Sequence, residues 1–193
     1  MTIKTRKELV ADIKNRIAAG ESKSAIFSRY SMTEWEDAAL RIIPVQVTPA
    51  KRRRWRALNW ALVVCLVELT LVKILDLFFM TDTLNNVGAR TGIILLGLAV
   101  NVAVLVGVIR YNAFAYLLTC VFVANGLVKV LEMAGKQQFD FAFDLPTAFV
   151  VVNMMFCVAA IVLAFILYRR LLPCTTFFFS AKKNALGQPI FED

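Results

Sequence analysis

The chain has 193 residues, of which 59% are apolar and only 19% charged, with a formal net charge of +8. Soluble domains carry about 45–50% apolar and about 25% charged residues. With a mean hydropathy of +0.66, this composition excludes disordered, collagen-like and disulfide-rich secreted chains and argues against a soluble globular domain. The lack of histidine removes imidazole metal sites, imidazole bases and imidazole pH switches.

Charge divides the chain. Residues 1–58 hold 13 Lys and Arg against 6 Asp and Glu, and residues 59–193 hold 9 against 8. A basic N-terminal part beside a hydrophobic body fits an anionic membrane surface.

Residues 1–50 read as a small cytoplasmic helical region. An amphipathic helix over 5–19 places Leu9, Val10, Ile13 and Ile17 on one face. Gly20 is a stop signal. Ser22 can cap a second helix bearing Ile26, Phe27 and Tyr30. Thr33 and Glu36 have the spacing of a capping box for a third helix carrying Trp35, Ala39 and Ile42, which Pro44 ends. The order is formally that of a helix-turn-helix. The second helix, however, offers only Lys23 and Arg29 and no row of base-reading side chains. Nucleic acid is therefore not an expected partner; a neighbouring copy, a cytoplasmic protein or the membrane surface is.

Residues 51–58 read as a polybasic juxtamembrane linker. Lys51, Arg52, Arg53, Arg54 and Arg56 are expected to contact anionic lipid headgroups. Four apolar runs follow, at 59–80, 91–109, 112–133 and 147–168. Runs of about 19–22 residues make helices of about 29–33 Å, which matches a hydrocarbon core of about 30 Å. Arg110, Arg169, Arg170, Lys182 and Lys183 flank the same side as the polybasic run, against Arg90 and Lys136 on the other. The positive-inside rule then puts both termini in the cytoplasm and the loops near 81–90 and 134–146 outside. Trp55, Trp60, Tyr111 and Tyr168 fall at the cytoplasmic boundary, as an aromatic belt would. The compact loops suit a bacterial inner membrane. About 58 largely polar residues precede the first run, so no cleavable signal is expected. Cys65, Cys120 and Cys157 fall in spans and Cys174 in the cytoplasm, so no structural disulfide is expected.

The spans contain an apparent repeat. Leu71-Val72-Lys73-Ile74-Leu75-Asp76-Leu77 recurs as Leu127-Val128-Lys129-Val130-Leu131-Glu132-Met133 at an offset of 56. A Lys followed three residues later by an acid, twice at one depth, points to two duplicated hairpins in a parallel repeat. The pairs Lys73–Asp76 and Lys129–Glu132 are either a polar site open to the outside or boundary markers that fix helix orientation. Glu68 lies near the middle of the first span, where charge is most unfavourable. It is expected to face the interior, as a proton or cation relay or as interhelical glue to Asn101, with Asn125 and Asn153 as further candidates. Ala99, Ala103 and Gly107 on the second span, and Ala160 and Ala164 on the fourth, are small-residue stripes that permit close helix approach.

Residues 169–193 form a cytoplasmic tail. Phe177-Phe178-Phe179 is expected at the interface or on the N-terminal helices, and Asn184 to Pro189 has turn chemistry. No nucleotide loop, nucleophile elbow, zinc-protease motif or Cys cluster occurs, so neither a cofactor nor a metal is expected. The expected fold is thus an all-α integral membrane protein of four transmembrane helices with a small N-terminal helical cytoplasmic region. The expected function is a non-enzymatic membrane component that assembles with copies of itself or with a partner. A small ion or solute transporter or channel is the alternative, and a membrane enzyme acting on a lipid or quinone is the third reading.

Overall fold

The computed structural model describes residues 5–79, 87–136, 145–176, 180–186 and 188–191. Eight helices occur among the described residues: α1 Arg6–Ala18, α2 Lys23–Tyr30, α3 Glu36–Ile42, α4 Pro49–Arg54, α5 Arg56–Phe79, α6 Val87–Ile109, α7 Ala113–Lys136 and α8 Leu145–Leu171. The only strand-like features among those residues are two isolated antiparallel bridges, Thr175 with Ala181 and Lys183 with Pro189. The chain divides into one unit of Met1–Arg56 with Tyr168–Asp193 and a second of Ala57–Leu167.

In the first unit, Thr5 caps α1 by accepting from the Glu8 N–H. The helix stops at Gly20, whose φ is +89°. The Gly20 N–H donates to the Ile17 carbonyl and the Glu21 N–H to that of Arg16. This paired closure needs a left-handed residue, which glycine supplies without a Cβ penalty. Ser22 then caps α2 by accepting from the Ala25 N–H at 3.2 Å. The apolar faces of the three helices meet in one core built on Leu9, Ile13, Ile17, Ile26, Tyr30, Ala39, Ile42 and Ile43.

The start of α3 differs from the expected capping box. Trp35 occupies the N-cap position with no side-chain cap bond. The Thr33 hydroxyl donates to the Tyr30 carbonyl, and the Glu36 carboxylate accepts from the Met32 N–H at 2.9 Å. Met32 adopts φ +68°, a left-handed turn that brings its N–H within reach of Glu36. The acid therefore reaches back one residue further than the box spacing implies.

An ionic network ties α1 to α2. Arg16 Nε donates to Asp12 Oδ2 at 2.6 Å, the Tyr30 hydroxyl donates to the same oxygen, and Glu21 pairs with both Arg16 and Arg29. The Arg16 guanidinium holds the Asp12 carboxyl below its usual range. Burial, reinforced by Asp12, pushes the Tyr30 phenol up to about 12.

The tail closes on this unit. The Ala181 N–H donates to the Leu40 carbonyl at 3.2 Å, and the Phe191 ring lies 5.2 Å from that of Phe27. Two successive reversals shape it: Lys182 N–H to the Cys174 carbonyl, then Ile190 N–H to the Lys182 carbonyl. Asn184 Oδ1 accepts from Leu186 and Gln188 inside the second reversal, as its turn chemistry predicts. The run Phe177-Phe178-Phe179 lies outside the described residues. The polybasic segment expected to be a linker is largely helical: it is α4, capped by Thr48, with Pro49 in the first turn.

In the second unit, α5 to α8 have 24, 23, 24 and 27 residues. Among the described residues one helical stretch, Val150–Leu171 in α8, is long and apolar enough to cross a membrane. Leu95–Ile109 and Ala113–Val128 are shorter apolar helices. Along α5 the apolar run is interrupted by Glu68, Lys73 and Asp76. Of the segments expected as outer loops, near 81–90 and 134–146, residues 87–90, 134–136 and 145–146 are instead helical, in α6, α7 and α8, and the rest lies outside the described residues.

The turn between α6 and α7 is tight. The Tyr111 N–H donates to the Val108 carbonyl and the Asn112 N–H to that of Gly107, with Tyr111 in the left-handed region at φ +57°. Asn112 Oδ1 then accepts from the Phe114 N–H and starts α7. The two helices approach so closely that a Cβ placed on Gly107 would lie 2.6 Å from that of Ala115. The lower end of the small-residue stripe is thus consumed by this pair, while Ala99 and Ala103 remain exposed. Ala160 and Ala164 on α8 are fully buried.

Candidate functional site

The polar residues inside the long helices form the first candidate. Glu68 on α5 is partly buried, and its Oε2 is fully shielded with no hydrogen-bond partner among the described residues. The expected bond to Asn101 is not formed. Asn101 is half-buried on α6, Asn125 is exposed on α7, and on α8 Asn153 Oδ1 lies 4.0 Å from Cys157 Sγ. No hydrogen bond joins any two of these four groups. Lys73, Asp76, Lys129 and Glu132 lie on α5 and α7, but their side chains fall outside the described residues, and so does any meeting between the two pairs.

A different polar junction holds these helices. Asn59, 3% exposed near the start of α5, donates through Nδ2 to the Val108 carbonyl of α6 at 3.2 Å. Its Oδ1 accepts from the fully buried Tyr116 hydroxyl of α7 at 2.6 Å. One amide side chain thus joins three helices with both of its polar ends used, which satisfies groups that burial would otherwise leave costly. Asn59 stands at the first position of an apolar run and Tyr116 is 57 residues away, so no local spacing connects them. An Asn at the edge of a span beside a mid-helix Tyr is the one signal available in the sequence. Thr70 and Thr119 donate back to carbonyls one turn earlier, Leu66 and Ala115, and so add no interhelical bond.

Between α6 and α7 lies an apolar groove of about 410 Å³, bordered by Val100, Val104, Leu118 and Phe122. It carries no convergent polar groups of the kind that orient a ligand. Among the described residues no three His, Cys, Asp or Glu side chains come together as metal ligands would. All four cysteines are free.

The second candidate is the basic region at the ends of α4 and α8. Arg52, Arg53, Arg54 and Arg56 are exposed, and Lys51 is partly buried. Trp55 closes α4 with its N–H on the Lys51 carbonyl at 3.0 Å. The Arg54 guanidinium carbon lies 5.7 Å from the Trp55 ring centroid and that of Arg170, in the last turn of α8, lies 6.0 Å from it. Sequence reasoning placed these residues on one side of a membrane but did not pair Trp55 with Arg170.

Comparison with protein-family models, with curated proteins and with solved structures finds no match.

Proposed function

We propose that this chain is a non-enzymatic multi-pass membrane component. Its α5, α6, α7 and α8 cross the bilayer as two related hairpins, with both termini cytoplasmic. It assembles with copies of itself or with a cytoplasmic partner through its small helical unit. One observation carries the membrane part: large apolar side chains are exposed along all four long helices, while Asn59 and Thr119 are turned inward. Val64, Val121 and Met155 are 59%, 64% and 67% exposed, whereas Asn59 and Thr119 are 3% and 1%. Only 22% of the Val150–Leu171 window is buried, so the helix is unlike a soluble core helix and suits lipid. The assembly part rests on a compact, capped helical unit whose three short helices share one core.

Two measurements test this reading. Alkaline carbonate washing should leave the full-length protein in the membrane pellet; release into the supernatant overturns the membrane reading. Single cysteines at Asn86 or Gln138, in a cysteine-free background, should react with impermeant maleimide from outside, and cysteines at Ser24 or Asn184 should not. Chemical cross-linking in native membranes should then give discrete higher-mass species.

The unpartnered Oε2 of Glu68 favours a second reading, a small transporter or channel. Under it, Glu68→Gln abolishes flux or phenotype while expression and assembly persist. Under the first reading the glutamine variant behaves as wild type.

A further inference from the structure

We infer that Trp55, flanked by Arg54 and Arg170, forms a headgroup site for one anionic phospholipid of the cytoplasmic leaflet. The inference rests on the membrane reading above and adds a defined ligand site to it.

The backbone first places the ring. Trp55 interrupts the helical path between α4 and α5, with φ −102° and ψ 13°. Trp55 is therefore the residue in the chain at which a cationic helix gives way to an apolar one. Indole rings favour this kind of boundary, apolar on one side and wet on the other. Two guanidinium groups from distant parts of the chain then share the ring, at 5.7 and 6.0 Å from its centroid. Like charges brought to one ring repel each other unless an anion lies between or beside them. Both side chains are exposed, so their N–H donors remain open to a ligand.

The chain supplies no neighbouring acid in sequence to play that part. The acids nearest in sequence are Asp37 and Glu68 around Trp55, and Asp144 and Glu192 around Arg170. The ion pairs described in this unit join Arg16 and Arg29 to Asp12 and Glu21. Guanidinium forks match the paired oxygens of a phosphodiester.

Depth decides between phosphate sources. Arg170 lies in the last turn of the same helix that contains the apolar stretch Val150–Leu171. Arg56 is the first residue of α5. A phosphate reaching this cluster is therefore at the height of the bilayer headgroups, and the apolar helix surface below it can lie along an acyl chain. A soluble phosphorylated partner would gain nothing from that surface.

The test uses full-length protein in a mild non-ionic detergent, with retained lipid read by native mass spectrometry. Phosphatidylglycerol should remain bound and raise the melting temperature, while phosphatidylcholine and millimolar inorganic phosphate should do neither. Arg52→Gln with Arg53→Gln removes two near-surface cations and the long-range attraction they supply. Arg54→Gln with Arg170→Gln removes the same charge and, in addition, the two direct guanidinium contacts, so it should weaken phosphatidylglycerol retention about 10-fold more than the first pair. Trp55→Leu keeps every charge and should still reduce retention, which guards against a double Arg variant that merely folds poorly. Equal loss in the two double variants, equal retention of phosphatidylcholine, or displacement of lipid by inorganic phosphate would each overturn the site. Failure of the membrane reading itself shows separately, as release of wild-type protein by carbonate.

Discussion

Leu9, Ile13 and Ile26, in the unit of Met1–Arg56 and Tyr168–Asp193, have no solvent exposure, and the outer surface of their helices carries Arg, Lys, Glu and Ser. In Ala57–Leu167 aliphatic side chains such as Leu62 and Leu167 are buried as fully, but the exposed side chains among the described residues are mostly Val, Leu, Phe and Met. Interiors are thus alike and exteriors opposite. The first unit excludes water from an apolar core in the ordinary way. In the second, an exterior as apolar as the interior provides little hydrophobic drive if water surrounds it. It becomes favourable if lipid does, because packing and interior hydrogen bonds such as Asn59 to Tyr116 then hold the helices. One chain therefore follows two burial rules, and the change occurs close to Trp55, where the basic segment ends.

That contrast breaks most easily at an outward apolar position. Met155→Asp should cost about 3 kcal/mol of insertion free energy in lipid, so the variant should be depleted from the membrane fraction. Ala25→Asp, equally outward but on α2 of the first unit, should stay within about 0.5 kcal/mol of wild type. If the two variants are equally harmless, the apolar exterior of the long helices does not face lipid.

A smaller effect sharpens the account of how the long helices hold together. Gly107→Ala puts a methyl 2.6 Å from the Ala115 Cβ, and neither atom sits on a flexible side chain. Overpacking of this kind costs about 1–3 kcal/mol. Gly97→Ala, on the same helix with nothing within 4 Å of the added Cβ, should be neutral or stabilise by up to about 1 kcal/mol through helix propensity. Melting in detergent distinguishes the pair. An equal response would mean that α6 and α7 do not depend on close approach at Gly107.

The sequence was most legible where a local rule acts alone. Leu9, Ile13 and Ile17 repeat at helical spacing and are buried as that spacing demands; Gly20 and Ser22 stop and start helices through their own backbone and hydroxyl chemistry. Thr33 and Glu36 were misread because the competing left-handed turn at Met32 is not encoded by spacing. Glu68 was recognised as anomalous, but its proposed bond to Asn101 required knowing how α5 and α6 are rotated about their axes, which hydropathy does not carry. The same limit hid Asn59 with Tyr116, and Trp55 with Arg170. In the tail, Asn184 announced the second reversal through its turn chemistry, whereas the bond from Ala181 to Leu40 joins distant parts of the chain and has no local signal.

The last prediction concerns the first unit alone, where the contrast implies ordinary aqueous titration. Asp12 accepts from Arg16 and Tyr30, and its carboxyl is held below the usual range chiefly by Arg16. A depressed carboxylate adds stability that is complete above its unfolded value of about 3.9 and disappears as pH falls through the lower folded value. Tyr30 is shifted the opposite way, to about 12. Its contribution is complete below the unfolded value of about 10 and disappears as pH rises through the folded one. Hydrogen exchange of the α1 and α2 amides in the full-length protein should therefore accelerate at both extremes and remain flat between them, after correction for intrinsic rates. Asp12→Asn should flatten the acid limb and Tyr30→Phe the alkaline one, each at a constant cost of about 1 kcal/mol for the altered hydrogen bond. The α6 and α7 amides around Asn59, Val108 and Tyr116 should show neither limb in either variant. If those amides follow Asp12 instead, the two units are coupled, and the contrast between them does not extend to their stability.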